Sequence, residues 1–258
     1  MPIDLRREAD MVETIVHVGA MAGRVLAQLR HDRRQIGLSL VFPLIIIYFV
    51  KVLLEALAGP FFDPSVYIVP YGAFLVHFIT FLVTAIVLVG ERTQGTLDRM
   101  FISGYRRLEI ISGYLLAYTV LSTMQSLLIL IELNWLFSLE YSLAQFAAIY
   151  LIMWLLAVIS LILGLLVSNF CRTVGQVIPF FPLILISMIV SGVIIPFDQL
   201  PSWAQVLSYV SPLFYANEVL QELIKGNNLL NNWVMLIGLP VYGIVLLLLS
   251  TFTLRELD

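Results

Sequence analysis

Few side chains in this sequence are equipped for chemistry, and those few are scattered. Three histidines are present, and only His77 lies inside a long apolar run. An ionisable group in such a run is a functional candidate, because it is costly to keep there. With no second ligand or nucleophile beside it, packing or hydrogen bonding is the plainer role. Glu132 and the Lys51/Glu55 pair fall at the ends of apolar runs, where charge is tolerated. The i, i+4 spacing of the pair suits mutual support on one helix face. Nucleotide binding by a P-loop needs a glycine-rich turn followed by Lys. The only lysines, Lys51 and Lys225, follow Val50 and Ile224, so that pattern is missing. HExxH and GxSxG are missing too. One cysteine, Cys171, excludes an intrachain disulfide and a cysteine metal cluster.

The elements that must position these groups are apolar and long. Of 258 residues, 60% are hydrophobic and 12% charged, and mean hydropathy is +0.99. Soluble domains carry about twice that share of charge. Apolar runs near the length of a membrane-crossing helix recur along the chain. This predicts an all-α polytopic membrane protein with six spans, near 36–57, 67–89, 110–133, 143–167, 174–195 and 233–254. Pro43 falls in the first span, and Pro179 and Pro182 in the fifth. No internal repeat or linker divides the chain, so residues 1–258 form one domain. Arginines 6, 7, 24, 30, 33 and 34 precede the first span, 92, 99, 106 and 107 follow the second, and 172 and 255 follow the fourth and sixth. The positive-inside rule then places both termini and the 90–114 stretch in the cytoplasm, in a cytoplasmic (cell) membrane. These arginines are topology determinants rather than a nucleic-acid surface. The first 35 residues lack an uninterrupted apolar core, so no cleavable signal is expected.

Three stretches are neither spans nor solvated loops. Residues 4–34 form an amphipathic helix with Met11, Ile15, Val18, Ala22, Val25 and Leu29 on one stripe, suited to the headgroup layer. Residues 90–114 form a charged island holding Glu91, Arg92, Asp98, Arg99, Arg106, Arg107 and Glu109. Inside it Leu97, Met100 and Phe101 lie at i, i+3 and i+4, one face of a helix too short to stand alone in water. Residues 196–225 are broken by Pro196, Pro201 and Pro212, and predict two short helices, 202–209 and 213–225, dipping into the outer leaflet. Trp135, Trp203 and Trp233 fall where an outer aromatic belt would lie.

The island and the broken stretch together resemble type 2 ABC exporter permeases. Glu91, Gly95, Thr96, Leu97, Glu109 and Gly113 match an E-x-x-x-G-T-L…E-x-x-x-G pattern after the second span. Ser191-Gly192-Val193-Ile194-Ile195-Pro196, Leu200-Pro201, Ser211-Pro212-Leu213 and Ala216 resemble that family's pattern before the sixth span. Ser103-Gly104-Tyr105 and Tyr114 depart from many relatives.

The resemblance implies a permease that dimerises, as a homodimer by preference, and binds two separate ATP-binding subunits, which carry the ATP and magnesium. Residues 92–106 would then hold a coupling helix. Gly95 and Thr96 would start it, Leu97, Met100 and Phe101 would fill a groove on the ATPase, and Asp98 and Arg99 would add polar contacts beside Glu91. The 4–34 helix would be the interface helix. Pro196, Phe197, Pro201, Trp203, Tyr209, Pro212, Phe214 and Tyr215 would close the outer end of the path for a hydrophobic drug or lipid-like cargo. Two other readings stand beside it: an intramembrane enzyme using His77 with a nearby Ser or Glu, and a six-span pore or scaffold without an ATPase.

Overall fold

A computed structural model describes residues 3–57 and 65–253, with side chains for 11–56 and 67–253. The loop 59–64 and the tail from Arg255 lie outside the described residues. Every element among the described residues is helical. Helix α1 (Ile3–His31) is the amphipathic helix. It ends three residues before the expected boundary because Asp32 turns the chain. The Asp32 carboxylate accepts from Arg34 N and Gln35 N and caps α2 (Arg33–Ile36). A π-helical stretch, Gly37–Val41, leads into α3 (Phe42–Leu57). Pro43 explains this stretch, since it has no N–H for the carbonyl four residues back. The ladder widens by one residue there, and Phe42 N donates to Gly37 O.

Helices α4 (Ser65–Thr93), α5 (Thr96–Ile102), α6 (Arg107–Leu136) and α7 (Leu143–Phe170) follow. Among the described residues, five helical stretches are long and apolar enough to cross a membrane: Arg33–Ala56, Tyr67–Thr93, Arg107–Leu136, Leu143–Phe170 and Leu229–Thr253. The chain is therefore a multi-pass membrane protein. The expected pair Lys51–Glu55 forms, at 3.2 Å.

The fifth expected span differs from a continuous 174–195 helix. Residues Val174–Phe180 form a 3₁₀ helix and α8 (Phe181–Val190) completes an apolar segment of shorter reach. The prolines set the switch: Pro179 sits in the 3₁₀ turn, and Pro182 in the first turn of α8, where its missing N–H costs nothing. Beyond Val190, Gly192 takes φ 82° and ends the helix. The short helices are α9 (Ser202–Ser208) and α10 (Pro212–Ile224), within a residue of expectation at each end, and α11 (Trp233–Thr253) closes the chain.

The core lies between α4, α6 and α7, with α10 and α11 against α7. Helices α4 and α7 are in close contact at Gly164, where an added Cβ would lie 2.8 Å from Phe81 O and 3.0 Å from Thr84 Cβ. Small residues of this kind let membrane helices pack backbone to backbone. Helices α7 and α11 end side by side, since the Asn169 amide donates to Ser250 O at 2.9 Å and Thr253 Oγ1 at 3.0 Å. Gly164→Ala is expected to lower the thermal unfolding midpoint of the detergent-solubilised protein, at an overpacking cost of about 1–3 kcal/mol. Gly19→Ala, where the new methyl meets nothing within 4 Å, is expected to leave it unchanged or slightly raised.

Candidate functional site

The charged island is where α4 passes its end into α5 and back into α6. Helix α4 continues through Glu91 and Arg92, then stops at Gly95, whose φ of 65° only glycine adopts without strain. Gly95 N donates to Arg92 O at 3.0 Å. The Arg99 guanidinium folds back to donate to Gln94 O at 3.1 Å and Gly95 O at 3.2 Å, satisfying carbonyls left open by that stop. Helix α5 ends in a Schellman motif at Ser103-Gly104-Tyr105: Gly104, at φ 90°, donates to Phe101 O and Tyr105 N to Met100 O. The departure from the family pattern is thus a complete stop signal.

Both pattern carboxylates are buried and both are paired with α1. Glu91 is 5% exposed and accepts from Arg24 at 3.1 Å. Glu109 is 2% exposed, accepting from His17 Nδ1 at 3.0 Å and from Arg106 N at 2.9 Å. His17 and Arg24 stand seven residues apart, two turns of one helix, so α1 bridges the end of α4 and the start of α6. Met21, between them, presses on Gly113, where a Cβ would lie 2.4 Å from Met21 Cγ. Tyr105 completes the junction, its ring 4.9 Å from that of His17. At the far end of α1 and α2, Gln35 donates to the Tyr118 hydroxyl at 2.6 Å. The pattern E-x-x-x-G-T-L…E-x-x-x-G is therefore a seat for α1. His17, Arg24 and Tyr105 were missed as site residues, although two carboxylates beside an apolar cluster require nearby donors.

The apolar side of α5 faces inward, which corrects the expected outward triad. Leu97 is 2% and Met100 5% exposed, packed with Met21, Val25 and Leu29 of α1, Leu88 of α4 and Ile110 of α6. Phe101 is half-buried beside them. The end of α4 is the principal neighbour of α5, and the apolar cluster it shares with α1 and α6 supplies the packing a seven-residue helix needs. Thr96 and Asp98 are half-exposed, while Gln94, Arg99, Ser103 and Ile102 form the outer side. Ile102 is 85% exposed. A groove of about 430 Å³ between α1 and α5 is lined by Met21, Arg24, Arg99 and Tyr105. The stripe on α1 is also split: Ala22, Val25 and Leu29 are buried, with Met21 beside them, whereas Met11 and Ile15 are uncovered.

Arg92 fastens the same end to α7, donating to Ser168 O at 2.6 Å and Cys171 O at 2.7 Å, a cation on a helix C-terminus. Burial pushes the Cys171 thiol up from its ordinary value, opposed by the Arg92 charge. A cleft of about 760 Å³ opens here between Arg92, Asn169, Arg172 and Phe252.

At the opposite end, the broken stretch supplies its own hydrogen-bond partners. Ser208 Oγ donates to Val190 O, and the Asn217 amide to Ser191 O at 3.0 Å, covering the end of α8. Tyr215 donates to Tyr209 O at 3.0 Å and Tyr242 to Val210 O at 2.6 Å. Phe197, Tyr209, Phe214 and Tyr215 come together, with Phe197 and Phe214 centroids 4.9 Å apart. Phe214 is buried and serves packing; Pro212 is the buried first residue of α10. Trp203, Pro196 and Pro201 are exposed and apart from the cluster.

His77 Nδ1 lies 2.7 Å from Ser160 Oγ, which itself donates to Leu156 O at 2.6 Å. The hydroxyl proton is committed to the helix, so the ring donates and Ser160 is no activated nucleophile. Among the described residues no three metal-ligating side chains converge.

Residues 16–224 match the family described as ABC-2 type transporter. Similar proteins include the probable multidrug ABC transporter permease YbhR of Escherichia coli K12, 25% identical over 143 residues, covering 55% of this chain and 39% of that protein. The linearmycin resistance permease protein LnrN of Bacillus subtilis 168 is 27% identical over 149 residues, covering 57% and 38%. ABC transporter G family member 20 of Dictyostelium discoideum is 26% identical over 184 residues, covering 68% and 24%. The matched stretches thus span well under half the length of these relatives. Replacing Arg24 with Met strands the buried Glu91 carboxylate, at a cost of about 2 kcal/mol; this sits below the range for fully buried pairs because Arg24 is partly exposed. The thermal midpoint is expected to fall accordingly, and Arg24→Met/Glu91→Gln to recover at least half of the loss.

Proposed function

From the chain's membership of the ABC-2 type transporter family, established by the match over residues 16–224, we propose that it is the membrane permease subunit of an ABC exporter. It is a transport subunit rather than an enzyme. ATP hydrolysis in two separate ATP-binding subunits drives export across the cytoplasmic membrane, and a second permease copy completes the complex. The cargo is a hydrophobic drug or lipid-like molecule, a reading supported by relatives named for multidrug transport and linearmycin resistance.

The observation that carries the coupling role is the construction of α5. A seven-residue helix is held by its buried apolar side between two helix ends that ion pairs tie to α1, yet presents Ile102 at 85% exposure. A rigidly held helix with an apolar tip transmits displacement of a partner into α4, α6 and α1 together. On this reading Leu97, Met100 and Phe101 anchor the coupling helix. Gln94, Arg99, Ile102 and the α1–α5 groove meet the ATPase, while Glu91 and Gly95 set the angle.

On this reading the chain makes six crossings with both termini cytoplasmic, which the ends of α7 and α11 support. Helices α7 and α11 end together, so the chain between them returns the length of the bundle. The apolar helical segment there is Val174–Val190. Seven 3₁₀ residues at about 2.0 Å and ten α residues at about 1.5 Å reach about 29 Å, close to the hydrocarbon thickness of about 30 Å. The arginines of α1, the island and Arg172 then share the cytoplasmic face. The 196–225 stretch closes the outer end, where Trp203 anchors in the interface.

Ile102→Asp is expected to leave membrane insertion intact and weaken co-purification of the ATP-binding subunit at least about tenfold, as loss of one buried aliphatic contact implies. Undiminished recovery of the ATPase with this variant counts against the coupling assignment. Failure of the unaltered chain to recover any ATPase would favour a pore or scaffold.

A further inference from the structure

One imidazole atom in the membrane interior has no partner. His77 is 0% exposed and its Nε2 lacks a hydrogen bond. Because the Ser160 hydroxyl donates its hydrogen bond to Leu156 O, the Nδ1–H of His77 donates to Ser160 Oγ, and Nε2 is left as the bare acceptor of a neutral ring. A charged ring here would lack a carboxylate to compensate its burial. An orphaned acceptor of this kind is uncommon in packed interiors.

His77 lines a cavity of about 420 Å³ whose walls are otherwise mostly apolar, including Phe81, Leu163, Ile184 and Tyr242. Two further hydroxyls there are engaged, since Ser187 donates to Ile184 O and Tyr242 to Val210 O. Ser211 Oγ, at the N-terminus of α10, lines the same cavity and is likewise without a partner. The cavity lies where α4 and α7 meet the Phe181–Val190 helix and the α9–α10 junction, the least continuous part of the bundle. An apolar space of this size, edged by two buried unpaired polar atoms, has the make-up of a small-molecule site.

We propose that this cavity binds an amphiphile with an apolar body and a hydroxyl or amide N–H donor, which His77 Nε2 accepts. Ser160 is the positioning residue that fixes the tautomer, and Ser211 meets a second polar atom of the ligand. The site gives the exporter its cargo chemistry. That transport role rests on the function proposed above, whereas occupancy of the cavity does not.

The test compares 4-octylphenol with its methyl ether, 4-octylanisole, in which one methyl group replaces the donor hydrogen. Their affinities are measured on the purified full-length permease in phosphatidylcholine nanodiscs, against empty nanodiscs. The phenol is expected to bind about tenfold more tightly, as one buried hydrogen bond implies. His77→Phe is expected to bring the phenol to the level of the ether. Ser160→Ala, a smaller change that also serves if His77→Phe does not fold, is expected to cut the preference at least about threefold. Equal affinity on the unaltered protein would mean that only water or a lipid chain fills the cavity, and would overturn the proposal. Full preference in a folded His77 or Ser160 variant would overturn it as well. Phenol that binds as expected but is not exported by the assembled complex leaves the site standing and removes its cargo role.

Discussion

Two carboxylates buried at one end of the bundle set the arrangement of the rest. Glu91 and Glu109 sit within the packed junction of α4, α5 and α6, and neither is tolerated there without a charged or hydrogen-bonding partner. Arg24 and His17 answer both from a single helix. That requirement fixes α1 across the ends of α4 and α6, at a rotation that drives Met21 onto Gly113. With α1 in place, Leu97 and Met100 of α5 are buried in the apolar cluster that α1 completes with α4 and α6. A helix too short to persist alone thereby becomes a rigid part of the bundle.

The membrane portion obeys a related constraint, that carbonyls freed by irregular backbone be satisfied within the protein. Arg92 closes the end of α7, Arg99 the end of α4, and Ser208 and Asn217 the end of α8. Each long polar side chain thus ties a helix end to its neighbour, so that displacement at α5 has direct routes into α4 and α7. His77 stands outside this economy. Its Nδ1 is engaged and its Nε2 is not, and it faces a cavity beside the segment where the helical ladder changes type.

Five of the spans, the amphipathic start and the two short helices before α11 were legible because apolar periodicity and proline placement act locally. The direction of the α5 face was not. Spacing at i, i+3 and i+4 shows that one side is apolar, but which surface covers it depends on how α4 and α6 gather with α1, a helix some seventy residues earlier. Arg24 and His17 were hidden for the same reason: each lies beside the apolar stripe as an ordinary polar residue until Glu91 and Glu109 are brought to it. Residues 174–195 read as one span by hydropathy, which is blind to the 3₁₀ turn that Pro179 and Pro182 impose. The carboxylates and glycines of the island were recognised by resemblance, while their physical purpose, seating α1, emerged only from packing.

The central claim is that α5 meets its partner with the Ile102 side while its apolar side stays inside. Photo-crosslinking of the assembled complex tests it most directly, with a benzophenone maleimide placed on Ile102→Cys or Leu97→Cys in a Cys171→Ser background. The account predicts efficient crosslinking from position 102 to the ATP-binding subunit, and little labelling and no crosslink from the buried position 97. Crosslinking from 97 with none from 102 would contradict it, showing that the apolar side of α5 turns outward to the ATPase.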